Sequence, residues 1–320
     1  MSLPFVTLDV FTSQAYTGNP LAIVFLAEDD LPTSQKQRIA REFNFSETVF
    51  VHPGGTNKRR ITIFTTDQEI PFAGHPTIGT SSWFLCHSPN SEDQAVDTLH
   101  MKAGYVPITV ARNPNSESKG TVSAKVAHNV RIHSARFPVH ELLAQQPNLA
   151  AFFPDSGTET EGSHAGFPVV SIVNGMSQVH VELPSLAALE AVGKSVGGET
   201  VSVTRYLDQG WQNGHIINYF FVRDVSDSQS GKTVIRTRAI LGSLEDPATG
   251  SAASGLAAYF SLQEGKAGTY RYDIVQGVEM GRRSEIGVEV DVNQEKAIER
   301  VELTGAAVKV SEGKIRVPDV

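Results

Sequence analysis

Glu245-Asp-Pro-Ala-Thr-Gly-Ser-Ala-Ala-Ser-Gly-Leu-Ala-Ala-Tyr-Phe260 reads as the helix around which the rest of the chain is arranged. Asp246 is a good N-cap, and Pro247 suits the first helical position, where a missing N–H costs nothing. The small residues Ala248, Thr249, Gly250 and Ser251 then leave the N–H groups of the first turn open to an approaching ligand. The helix dipole adds partial positive charge there, so the turn is a seat for an anion. Further on, Ala252, Ala253, Gly255, Ala257 and Ala258 leave no polar face, which fits a helix enclosed by other elements.

A second stretch repeats this plan: Glu69-Ile-Pro-Phe-Ala-Gly-His-Pro-Thr-Ile-Gly-Thr-Ser-Ser-Trp-Phe-Leu85. An alternating β-like run precedes each one, Arg60 to Thr65 and Val234 to Ala239, followed by a turn with Pro and Gly. Gly74 superposed on Ala248 gives an offset of 174 residues, room for one ordinary domain per copy. The expected organisation is an α+β chain of two similar domains, 1–130 and 131–320, with the C-terminal strand able to return to the first. Two helix N-termini across an inter-domain cleft would hold a small anionic substrate from both sides.

Composition narrows the function. The 320 residues carry a net charge of −8, and Lys58-Arg59-Arg60 is the strongest basic run, so a nucleic-acid surface is not expected. The single cysteine, Cys86, cannot form an internal disulfide, and no signal-like segment precedes the first strand; both point to a cytoplasmic setting. Apolar runs are too short for a membrane span. There is no HExxH, paired CxxC, nucleotide-binding glycine pattern or P-loop, so neither a metal nor an organic cofactor is expected.

Along the chain, strands are expected at Phe5–Phe11 and Leu21–Leu26, a helix at Gln35–Phe43, and strands at 105–111, 122–127, 168–173, 178–183, 200–205 and 216–222. Polar connections are expected at 113–120, 155–163 and 224–232, and alternating β-like segments fill the tail from Tyr270. In Asn44-Phe-Ser-Glu-Thr-Val-Phe-Val51, a period of two puts Glu47 in one row with Phe45, Val49 and Val51. Burial there would raise the pKa of this lone carboxylate toward the range useful for proton transfer.

Five short segments resemble the motif set of the PhzF family of phenazine-biosynthesis-like isomerases, which share the fold of diaminopimelate epimerase. They are Gly18-Asn19-Pro20, Phe45-Ser46-Glu47-Thr48, Pro71 to Thr77, Glu245 to Ser251, and Gln276-Gly277 with Met280-Gly281-Arg282. The resemblance implies two domains related by a pseudo-two-fold duplication, each a barrel-like sheet wrapped around a central helix. It also implies a homodimer, cofactor-independent chemistry, and a small carboxylate metabolite bound in the inter-domain cleft. Carried over by position, it makes Glu47, His75 and Asp246 catalytic, and Asn19, Gly74, Gly250 and Ser251 substrate-binding. Read as residues alone, His75 could shape a turn, Asp246 could cap a helix and Ser251 could bond backbone. Related epimerases carry cysteines where this chain is expected to have Ala73 and Pro247, so a single-carboxylate proton shuttle is favoured over a two-thiol one. The expected activity is isomerisation of a dihydro-hydroxyanthranilate-like acid. The alternatives are an amino- or hydroxy-acid racemase or epimerase, and a non-catalytic small-metabolite binding protein.

Overall fold

The structure is a computed structural model that describes residues 1–27, 31–111, 120–153 and 166–319. Most of the connection at 113–120 and all of that at 155–163 therefore lie outside the described residues. The strands are β1 Ser2–Val10, β2 Asn19–Phe25, β3 Thr48–Val51, β4 Lys58–Phe64, β5 Glu69–Ile70, β6 Thr98–Met101, β7 Gly104–Val110 and β8 Thr121–Lys125. They continue as β9 Arg131–Phe137, β10 Phe167–Val173, β11 Met176–Glu182, β12 His215–Asp227, β13 Lys232–Leu241, β14 Leu244–Asp246, β15 Gly268–Gln276, β16 Ser284–Val292 and β17 Ile298–Arg316. The helices are α1 Thr33–Phe43, α2 Gly74–Ser82, α3 Val139–Gln145, α4 Leu186–Ala191, α5 Val203–Tyr206 and α6 Gly250–Gln263.

Two compact units result: Met1–Ala127 with Glu302–Val320, and His128–Val301. The second unit thus ends at Val301 and does not run to residue 320. From Glu302 onward β17 pairs antiparallel with both β1 and β8 and completes the first unit. In that unit β1, β2, β3, β4, β6, β7, β8 and β17 pair in sequence and close into a ring of eight, which leaves no free edge.

Strand pairing repeats in the second unit and shows the duplication directly. In the first, β1–β2 is antiparallel, β2–β3 parallel, β3–β4 antiparallel, β4–β6 parallel and β6–β7 antiparallel. In the second, β10–β11, β11–β12, β12–β13, β13–β15 and β15–β16 follow the same alternation. In each, a two- or three-residue strand, β5 or β14, folds back on its predecessor just before the central helix.

The central helices are small-residue helices because strands crowd them. Every residue of α2 is buried. A Cβ on Gly79 would lie 2.5 Å from Leu21 Cδ2, and one on Gly255 in α6 would lie 2.5 Å from Gln178 Oε1. The outer sheet faces are covered by the remaining helices. In the first unit α1 packs Ile39 and Ala40 on Leu3, Val24, Phe50 and Phe64; in the second, α3, α4 and α5 bring Leu142, Leu189 and Tyr206 onto Val179, Phe220 and Ile240.

Two expectations fail for local reasons. Residues 203–206 are helical because Val203, Tyr206 and Leu207, at helical spacing, all join one core, with Tyr206 edge-on to Phe137. Asp224 is not the start of a turn: β12 runs on to Asp227 through a bulge between Val222 and Val225, with Asp224 at φ 56°. Aspartate tolerates that left-handed conformation, which makes a bulge and a turn look alike in sequence. Among the described residues no helix is long and apolar enough to cross a membrane.

Candidate active site

Glu47 lies outside any strand, in the short connection between α1 and β3. The alternating row expected to contain it does not exist, because all four residues of β3 are buried and both of its faces are covered. Its side chain is nonetheless only 18% exposed, and Oε2 lies 3.2 Å from His75 Nδ1. Desolvation pushes the Glu47 carboxyl up from its ordinary 4.5 to about 7, against a smaller opposing effect of a hydrogen bond with Ser46. The shift arises from burial in a loop, not from a strand face.

His75 is the second residue of α2 and is buried. Asn19, also buried, orients it: Ser46 Oγ donates to Asn19 Oδ1 at 3.3 Å, leaving Asn19 Nδ2 3.5 Å from His75 Nδ1. The Gly18-Asn19-Pro20 motif has a mechanical basis here. Gly18 adopts φ 68°, and a side chain on it would overlap the Val10 carbonyl, so glycine is what lets Asn19 start β2 opposite Val10.

The first unit thus brings together Asn19, Glu47, Gly74 and His75. Asp246, Gly250 and Ser251 belong to the second unit, where they form their own cluster at the start of α6. That helix begins at Gly250, three residues later than expected, and its N-cap is Thr249. Asp246 is therefore not its cap, nor Pro247 its first residue. Asp246 ends β14 and closes the turn that follows, accepting from Thr249 Oγ1 at 2.7 Å and from Ala248 N at 3.4 Å. The helix starts are 176 residues apart, not 174, so Gly74 corresponds to Gly250 and Gly79 to Gly255. The residue corresponding to Ala73 is then Thr249 and not Pro247; neither N-cap position holds a thiol or a carboxylate.

The N–H groups of Gly74 and His75 lie ahead of the first backbone bond of α2, Thr77 N to Ala73 O. Those of Gly250 and Ser251 lie ahead of the first bond of α6, Ala253 N to Thr249 O. Both ends retain the donor geometry of an anion seat. Among the described residues no group of three or more His, Cys, Asp or Glu could hold a metal ion. The sequence pattern placed Thr249 in the anion seat by its backbone alone and did not single out Ser46; in the structure both hydroxyls join the hydrogen bonds of their clusters.

Cys86 lies in the π-helical turn Trp83–His87 that extends α2 and is exposed, a full helix away from His75. Cys86→Ala is expected to change stability by no more than about 0.5 kcal/mol. It should leave turnover at the wild-type level, and melting and rate measurements on the purified variant check this.

Comparison with known proteins gives a consistent picture. Residues 8–313 match the family model described as phenazine biosynthesis-like protein, PhzC-PhzF. The chain is 32% identical to an uncharacterized isomerase of Mesorhizobium japonicum, covering 97% of this chain and 98% of that one. It is 31% identical, with the same coverage, to the trans-2,3-dihydro-3-hydroxyanthranilate isomerase of Pseudomonas fluorescens. In fold it resembles the crystal structure of the PhzF-family phenazine biosynthesis protein of Bacillus anthracis, with a TM-score of 0.72 at 22% identity over 99% of this chain and 100% of that one. With its duplicated barrel-and-helix units, its ordered motifs and a match over almost its whole length, the chain belongs to the PhzF-like, phenazine biosynthesis-like protein family.

Proposed function

We propose that the protein is an isomerase that moves a proton within a small, cyclic carboxylate of the dihydro-hydroxyanthranilate type, using Glu47 as both acid and base. The observation that carries this reading is the Glu47 carboxyl. Desolvated, lifted to about 7 and 3.2 Å from His75 Nδ1, it is poised to give and take a proton near neutral pH. Ionised, it removes a proton from an activated carbon; protonated, it returns that proton further along the conjugated system. His75 holds the carboxyl in place and steadies the charge that develops. Asp246 and the N–H groups of Gly250 and Ser251 are the second unit's candidates for binding the substrate's polar groups. The isomerases among the chain's relatives support the reaction class. A two-base racemase is disfavoured by Ala73 and Thr249 at the two N-cap positions, and a binding protein has no need of a carboxyl held near neutrality.

The test is incubation of the enzyme with trans-2,3-dihydro-3-hydroxyanthranilate in deuterated water, with product analysis by NMR. Protium carried to a carbon other than the one that lost it is the expected result, with deuterium at that new position only to the extent that the Glu47 carboxyl exchanges with solvent before returning it. Deuterium at the original carbon with inverted configuration would establish epimerisation instead, and no conversion at all would remove this substrate class.

A further inference from the structure

Gln276 and Gly277 close β15, and nothing in the proton shuttle accounts for them. Gln276 is fully buried, and its amide is saturated by four hydrogen-bonding contacts. Nε2 donates to Asp246 O at 2.7 Å and to Thr249 Oγ1 at 3.0 Å. Oε1 accepts from Thr249 N at 3.2 Å and lies 3.2 Å from Tyr219 Oη. Tyr219 is itself buried, with its hydroxyl also 3.2 Å from Thr237 Oγ1. Gly277 holds the same turn from the other side: at φ 74°, a Cβ on it would lie 2.8 Å from Pro247 O and 2.7 Å from Arg282 O.

The direction of these bonds sets a polarity. Thr249 Oγ1 accepts from the Gln276 amide, so its one proton is left for Asp246 Oδ2, 2.7 Å away. A hydroxyl oriented in this way favours a carboxylate that accepts, that is, an ionised Asp246. Four contacts from one rigid side chain also leave the Asp246–Thr249 turn a single geometry just before the first turn of α6.

We infer that Gln276 is a positioning residue: through the Thr249 hydroxyl it fixes the Asp246 carboxylate as an oriented acceptor at the start of α6, with Tyr219 securing the far side of its amide. The inference rests on the reading of Asp246 as a site residue, but its test needs no substrate.

The experiment follows the Asp246 carboxyl by carbon NMR titration, assigned by its loss in Asp246→Asn, in the wild type, Gln276→Met and Gln276→Glu. Gln276→Met removes the donor to Thr249 and Gln276→Glu replaces it with an acceptor, so the hydroxyl is free to turn away from Asp246. In both, the Asp246 midpoint should rise by about one pH unit, the size expected for losing one hydrogen bond to a charged group. Thr237→Val, which disturbs the same buried wall behind Tyr219, is the control for destabilisation alone and should leave the midpoint in place. A folded Gln276 variant that melts lower yet titrates Asp246 as the wild type does would reduce Gln276 to a structural role and overturn the inference. Should Gln276→Met not fold, Thr249→Val, which removes the relaying hydroxyl and adds no charge, decides the matter: the Asp246 midpoint should rise there too, and an unmoved midpoint overturns the inference. Activity of Asp246→Asn on trans-2,3-dihydro-3-hydroxyanthranilate is a separate measurement. An active Asp246→Asn enzyme would remove the catalytic reading and leave the positioning result standing.

Discussion

Glu47→Gln is expected to lower turnover by about 10²- to 10⁴-fold with little change in KM, because it keeps the shape of the side chain and removes only its ability to carry a proton. The same substitution should stabilise the protein at alkaline pH. The Glu47 carboxyl titrates at about 7 in the folded state and at its ordinary 4.5 when exposed. Between those values the folded chain holds the extra proton, so stability falls as pH rises through this window and the full cost is present above 7. A shift of that size corresponds to about 3 kcal/mol as an upper figure, a cost glutamine does not incur. Glu47→Gln should therefore melt above the wild type at pH 8, by roughly 2–4 °C for each kcal/mol recovered, and level with it near pH 4. In the wild type, kcat/KM should climb through about pH 7 as the base ionises. Melting at the two pH values and a pH–rate profile check these outcomes; an active variant, or a melting difference unaffected by pH, would count against the shuttle.

The largest stability loss is expected from Arg238→Met. Arg238 on β13 grips Glu245 on β14 with both arms of its guanidinium, Nε to Oε1 at 2.7 Å and Nη2 to Oε2 at 2.9 Å, and the side chains are only 8% and 12% exposed. Its Nη1 also donates to Val192 O at 2.6 Å and Leu189 O at 3.0 Å, closing the C-terminal end of α4. Glu245 in the Glu245–Ser251 motif is thereby explained as the anchor of the strand that delivers Asp246. Removing the cation leaves an unpaired buried carboxylate and takes the guanidinium donor away from the Val192 carbonyl at the end of α4, a loss of about 3–5 kcal/mol. A double variant, Arg238→Met with Glu245→Leu, should recover much of this, since apolar replacement of both partners leaves no orphaned charge. Urea unfolding of the wild type, Arg238→Met, Glu245→Leu and the double variant measures the cycle. A cost below about 1 kcal/mol for the single variant is what an exposed ion pair would give.

The parts of this architecture visible in sequence are those written in local patterns. Period-two runs marked most strands, and the runs of Ala, Gly, Ser and Thr in α2 and α6 announced enclosed helices, since nothing larger fits against Leu21 or Gln178. Strand β9 left no such mark. Its buried positions include His133, which is accommodated by hydrogen-bonding contacts, with Nε2 2.8 Å from Ser171 Oγ and Asp208 N donating to Nδ1 at 3.0 Å. A hydrophobic pattern does not register a histidine buried in that way. Glu47 was found for an incomplete reason: its motif located it, but its environment comes from a connection folded against α2, which alternation does not describe. Asp246 shows the opposite case. Asp-Pro before a run of small residues has the signature of a helix start, yet β14 continues the strand pairing through Asp246 and delays the helix to Gly250.

The path of β17 has a consequence for how the protein is made. Ribosomal synthesis usually lets an N-terminal domain fold first, while the rest of the chain is still being added. Here the first 127 residues emerge as an open sheet whose two edges, β1 and β8, have no strand to join them until residues 302–316 have been synthesised. Residues 128–301 come out in between as an uninterrupted unit, complete just as the closing segment begins. The segment translated first is thus the last to be finished, and the nascent chain must keep two unpaired strand edges from pairing with neighbours for most of its time on the ribosome.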